Sequence, residues 1–174
     1  MKKMFNFFGV ILLSLFFVAC STKQETDLKT VQKVDLQKYL GDWYEIARYE
    51  HPFQKDCKNV KANYSLRDDE KIQVVNSCTK MSTNEFKDAK AVAYSVDETN
   101  SKLKVSFFRP FYGDYWILDL DKDYKYAIVG TPSKEYLWIL SREKTMSNEV
   151  LNKLLEKITS MGFDKSKLTY TIQE

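Results

Sequence analysis

The side chains of this 174-residue chain that could serve as nucleophile, base or soft metal ligand near neutral pH are few: Cys20, Cys57, Cys78 and a single histidine, His51. A thiol becomes a nucleophile where its surroundings hold it as thiolate. His51 stands beside Pro52 at what reads as a strand end, and no serine nucleophile motif accompanies it. Two internal cysteines and one histidine supply too few ligands for zinc, at no recognisable spacing. No catalytic residue, metal or cofactor is therefore expected. Strand parity turns Cys78 inward, which keeps a pocket-thiol enzyme as an alternative unless Cys78 pairs with Cys57.

Cys20 belongs to a different chemistry. Lys2 and Lys3 precede an apolar run from Met4 to Ala19, broken by Asn6, Gly9 and Ser14, which is the pattern of a signal peptide. The run falls short of the roughly twenty apolar residues a spanning helix needs. The segment Phe17-Val18-Ala19-Cys20 resembles a bacterial lipobox. That resemblance implies cleavage before Cys20, a diacylglyceryl thioether on its sulfur and an N-acyl chain. Two or more acyl chains anchor stably, at about 0.8 kcal/mol per buried CH₂. Ser21 stands where inner-membrane retention would prefer Asp, so the sorting rules imply the bacterial outer membrane, with the domain facing the periplasm.

The expected organisation is a signal peptide over residues 1–19, an acylated N-terminus and polar linker over 20–33, and one domain over 34–174, a length that suits a single core. Removing Lys2 and Lys3 with the leader leaves 25 basic and 24 acidic side chains, a net charge of about +1. The charges are interspersed, which excludes a nucleic-acid footprint.

In an exported chain Cys57 and Cys78 are an even pair. They flank a hairpin predicted at Arg67-Asp68-Asp69-Glu70. A disulfide is the default reading, with two buried free thiols or one reactive thiol as alternatives. Counting along the hairpin puts the partner of Cys57 two to four residues from Cys78, so a bulge or loop at Cys57 is required. Closing the loop would contribute roughly 3 kcal/mol.

The elements that must position these groups read as strands. Asp35 to Leu40 makes a helical turn that Gly41 ends. Strands are predicted at Trp43 to Glu50, Val60 to Arg67, Lys71 to Lys80, Glu85 to Val96, Lys102 to Phe108, Asp114 to Leu120, Tyr124 to Thr131 and Tyr136 to Arg142, separated by turn-forming clusters. Eight strands at short spacing predict a closed antiparallel barrel of the size that holds one small ligand. In Lys102-Leu103-Lys104-Val105-Ser106-Phe107, alternation turns Leu103, Val105 and Phe107 inward. Tyr115 to Leu118 and Tyr136 to Leu140 are apolar on both faces and need a cover. A helix over Asn148 to Met161, capped by Ser147 and stopped by Gly162, supplies an apolar stripe for that purpose. A last strand follows at Leu168 to Ile172.

This order, with Gly41-x-Trp43-Tyr44 on the first strand and Arg142 ending the eighth, resembles the lipocalins: an all-β, eight-stranded up-and-down barrel with one C-terminal helix and a short ninth strand. The finer resemblance is to the bacterial lipocalin and apolipoprotein D branch. It is carried by Tyr39 to Arg48, Ala62 to Asp69, Leu103 to Phe108, Pro110 to Gly113 and Tyr136 to Arg142. It implies that Gly41, Trp43, Tyr44 and Arg142 are structural, with the arginine packed over the indole at the closed end. It also implies that Tyr64, Phe107, Tyr115 and Trp138 line the pocket, and that Lys80 sits near the mouth, where it could meet a carboxylate or phosphate headgroup.

The function so implied is non-catalytic storage or carriage of fatty acids or lysophospholipids, in a cavity lined by Leu103, Val105, Phe107, Tyr115 and Trp138. Membrane attachment through Cys20 would keep the cup near its lipid supply. The alternatives are the pocket-thiol enzyme and a structural or adhesion lipoprotein with a filled barrel. The aromatic segment Phe108 to Gly113 would then be an exposed interface, a lid or a homodimer contact.

Overall fold

The computed structural model describes residues 27–174, so the expected leader and Cys20 lie outside the described residues. A short helix, α1 (Leu36–Tyr39), leads into nine strands: β1 (Gly41–Tyr49), β2 (Cys57–Leu66), β3 (Ile72–Lys80), β4 (Phe86–Ser95), β5 (Lys102–Phe108), β6 (Phe111–Leu120), β7 (Tyr126–Gly130), β8 (Leu137–Ser141) and β9 (Leu168–Tyr170). Helix α2 (Asn148–Ser160) precedes β9. The strands run β2-β3-β4-β5-β6-β7-β8-β1, and β1 also pairs with β2, closing an eight-stranded antiparallel barrel with β9 on the outer half of β1. Closure leaves no long unpaired edge.

The closure between β1 and β2 is short. Only Gly41 to Tyr44 pair with Tyr64 to Lys61. Beyond that point β9 pairs Leu168 with Tyr49 and Tyr170 with Ala47. The C-terminal residues then stitch the two strands: Thr171 N–H donates to Ile46 O, and Asn59 N–H to Ile172 O. The Gln173 amide donates to the carbonyls of Glu45 and Val60, both at 2.8 Å.

Two apolar cores form on the two faces of the sheet. The lumen side gathers Tyr39, Trp43, Tyr64, Ile72, Val74, Ala91, Ala93, Leu103, Ile117, Ala127, Val129 and Leu140. The outer side gathers Ala47, Tyr49, Leu118, Ile128, Leu137 and Ile139 against Leu154 and Ile158 of α2 and against Phe163. This is why strands β6 to β8 are apolar on both faces. Ser147 caps the helix by accepting from Val150 N–H, and Gly162 at φ +81° ends it.

Two local differences from the sequence expectations have clear causes. Residues 28 to 33, read as linker, are packed on the barrel: Leu28 is buried and Val31 N–H donates to Ile117 O, leading into Val34, the first residue of the expected domain, which is fully buried and donates to Thr99 O. Strand β6 begins at Phe111 rather than Asp114, because a turn containing the cis Arg109–Pro110 bond pairs Phe108 directly with Phe111. The aromatic segment is therefore strand at the mouth rather than a free loop.

The cysteine pair sits as the counting required. Cys57 pairs in register with Lys80, and a register shift between Lys58 and Lys61, with Asn59 at φ 52°, supplies the bulge. Cys57 and Cys78 form a disulfide with Cα atoms 5.6 Å apart.

Candidate functional site

The barrel has a sealed end and an open end. At the seal the Arg142 guanidinium carbon lies 3.9 Å from the centroid of a Trp43 ring. Its nitrogens donate to the carbonyls of Asp42 (2.8 Å), Lys38 (2.6 Å) and Tyr124 (3.3 Å). Trp43 Nε1 donates to Tyr39 O at 2.8 Å. Gly41 at φ +90° brings the strand start under this arginine, a conformation L side chains rarely adopt. Tyr44, the remaining motif residue, pairs with Lys61 on one side and Ser141 on the other.

Above Trp43 three phenols converge. Tyr115 Oη lies 2.8 Å from Tyr39 Oη and 2.9 Å from Tyr64 Oη. Burial raises the pKa of all three, that of Tyr64 to about 12, so they stay protonated. The floor is thus apolar apart from one chain of hydroxyls.

The walls carry small side chains. Ala91, Ala93 and Ala127 are buried on the lumen side, and Ala62 packs against them. Val105 stands opposite Gly113, and Leu103 opposite Tyr115. A methyl group at Gly113 would approach only Val105 O, at 4.0 Å, so space stands open over this wall.

Leu103 is buried and Val105 packs on the lumen core. Phe107, expected to point inward, follows a register shift between Val105 and Phe108 that breaks the alternation, and it is 53% exposed while Ser106 is buried. Phe53, Phe86, Phe108 and Phe111 are also exposed. All four lie at strand ends or in connections on the open side, and Phe86, in register with Thr79, is on the outer face of the sheet with Ser77 and Asp88. Lys80, expected as a free headgroup cation, donates at 2.5 Å to the carbonyl of Lys55 and ties down the β1–β2 connection.

Sequence reading missed a polar cluster at this mouth. A bulge between Glu45 and Ala47 lets Glu45 pair with Leu140 and Arg48 with Trp138, both lumen-facing. Glu45 and Arg48 consequently face the lumen, 2% and 3% exposed at the side chain, joined by a 2.9 Å ion pair. Thr171 Oγ1 donates to the same Glu45 carboxylate.

The connection 50–56 folds over the pair. Arg48 donates to Gln54 O at 2.9 Å, Gln54 Nε2 donates to Glu45 at 2.9 Å, and Trp138 Nε1 donates to Gln54 Oε1 at 3.2 Å. Gln54 is therefore the latch of this connection. Beside it His51 is wedged against Tyr136 and Trp138, with ring centroids 5.6 and 5.7 Å away, and neither of its nitrogens has a hydrogen-bond partner among the described residues. Burial is the main cause that lowers its pKa below 6.5. A regular strand would put Glu45 and Arg48 of Trp43-Tyr44-Glu45-Ile46-Ala47-Arg48 on opposite faces, so their joint burial depends on the bulge.

The comparisons with known proteins agree with this architecture. The lipocalin-like domain family matches residues 34–173. The outer membrane lipoprotein Blc of Vibrio cholerae is 41% identical over 167 residues, covering 95% of this chain and 97% of that protein. The protein of the same name from Escherichia coli K12 is 42% identical over 158 residues, covering 90% and 89%. Apolipoprotein D of Cavia porcellus is 32% identical over 153 residues, covering 82% and 78%. Insecticyanin from Manduca sexta superposes with a TM-score of 0.68 at 23% identity, covering 83% of this chain and 84% of its own.

Proposed function

The chain belongs to the lipocalin family, in the branch that includes bacterial lipocalins and apolipoprotein D, and on that premise we propose that it binds and carries fatty acids or lysophospholipids at the bacterial outer membrane without transforming them. The observation that carries this reading is the apolar lumen-side core, with open space at Gly113 towards the mouth. An acyl chain would lie along Leu103, Val105, Phe107 and Trp138, with Tyr64 and Tyr115 at the floor and the headgroup among the polar groups at the mouth. Lys80 would contribute to that headgroup site once it leaves the Lys55 carbonyl.

The disulfide supports a binding role over catalysis, because it consumes the thiol on which the enzyme alternative rests. The names of the bacterial relatives support attachment through Cys20 and the outer-membrane location. With residues 28 to 34 packed on the barrel, Cys20 stands only eight positions before the packed segment. A carrier so held works on lipid within its own membrane's surface layer.

The test is native mass spectrometry of the delipidated protein after adding lysophospholipid, beside the variant Gly113→Leu. Gly113 does not have a positive φ, so leucine can stand there and fill the open space. A one-to-one complex in the wild type that disappears in the folded variant is expected. Wild-type protein that keeps its barrel and forms no complex overturns the reading. A homodimer would use the exposed Phe108 and Phe111, and sedimentation velocity with and without lipid measures it.

A further inference from the structure

Three phenols carry three O–H protons, and the contacts Tyr39–Tyr115 and Tyr64–Tyr115 consume two of them. Among the described residues these hydroxyls have no further hydrogen-bond partner, so one donor is unspent. Tyr39 and Tyr64 are 1% and 5% exposed, walled in with Trp43, whereas Tyr115 is only partly buried where it packs on the lumen-side core. Of the possible proton arrangements, the one useful to a ligand has Tyr39 and Tyr64 both donating to Tyr115, whose own O–H then points into the lumen.

We infer that Tyr115, backed by Tyr39 and Tyr64, is a deep polar subsite that selects amphiphiles bearing a neutral oxygen acceptor, a hydroxyl or oxo group, towards the far end of the acyl chain. The inference rests on the lipid-carrying reading and deepens it. A neutral oxygen suits the subsite better than an anion. The floor offers one donor only, within walls of Leu103 and Val105, and a carboxylate buried with one hydrogen bond is costly. A plain methyl terminus leaves the donor without an acceptor in an apolar pocket. That deficit separates the two ligand classes.

The experiment compares palmitic acid with its α-hydroxy, mid-chain hydroxy and ω-hydroxy derivatives by calorimetric titration of the delipidated protein, and repeats the series with Tyr115→Phe. One of the two distal isomers should bind about 3- to 10-fold more tightly than palmitic acid, the value of one net hydrogen bond. The α-hydroxy acid should show no such gain, and Tyr115→Phe should abolish the gain of the distal isomer relative to palmitic acid measured on the same variant. Equal affinities for palmitic acid and both distal isomers would overturn the subsite and leave the carrier reading standing. A gain that survives Tyr115→Phe, or that the α-hydroxy acid shares, overturns it as well. Failure of every acid to bind overturns both readings. If Tyr115→Phe does not fold, the distal-against-proximal comparison within the wild type still decides.

Discussion

Arg142 lies flat over Trp43, its guanidinium carbon 3.9 Å from a ring centroid, while its nitrogens reach three backbone carbonyls from three segments of chain. One side chain thus ties α1, the start of β1 and the turn before β7. Arg142→Met keeps the apolar stem and removes the donors and the charge over the ring. With three carbonyls short of donors and no cation above the indole, a stability loss of about 2–4 kcal/mol is expected. Urea unfolding followed by tryptophan fluorescence measures it, and an unchanged midpoint would contradict the role given to Arg142.

The Cys57–Cys78 bond should leave no free thiol inside the domain. A soluble form beginning after Cys20 is expected to give no reaction with a thiol reagent in denaturant until it is reduced. Reduction, or the paired change to serine, should lower stability by roughly 3 kcal/mol.

His51 is the sole histidine of the chain, which makes its titration easy to isolate. Its folded pKa is depressed, so the neutral ring is favoured by the fold. As pH falls below about 6.5 the unfolded chain takes up a proton that the folded chain does not. Stability present above that pH is therefore lost progressively on acidification, down to the folded pKa. The imidazole proton resonances should titrate below 6.5, and the slope of unfolding midpoint against pH just below 6.5 should be smaller in His51→Phe.

Gly130 is set by contact rather than by conformation. A methyl group there would stand 2.9 Å from Leu118 Cδ1, 3.1 Å from Phe163 Cζ and 3.2 Å from Tyr136 O. Gly130→Ala should cost about 1–3 kcal/mol by overpacking. Trimming the ring with Phe163→Leu in the same chain should recover part of the loss, giving a coupling visible in a double-mutant cycle.

Much of the fold was legible because its signals are local. The Leu103-Lys104-Val105 alternation, the turn clusters and the doubly apolar strands under α2 each correspond to the elements found. The sealed end was also readable, since Trp43 and Arg142 carry its motif. The mouth was not. The bulge at Ile46 turns Glu45 and Arg48 inward, and only the tertiary pairing with β8 fixes that bulge. Gln54 and Lys80 are placed by contacts across connections, with the donors Trp138 and Lys80 lying 84 and 25 residues from their acceptors. The link between Tyr39 and Tyr115, 76 residues apart, is equally invisible to periodicity.

The stitching of Thr171 and Gln173 across β1 and β2 also orders events in time. Glu45 receives hydrogen bonds from residues 126 and 128 positions further along the chain. Strands β2 through β8 can pair in sequence, each with its neighbour, while the upper seam waits for Thr171 and Gln173. Residues 171 to 173 act as the fastener, so the cup is completed by contacts of the largest sequence separation, and such contacts form slowly.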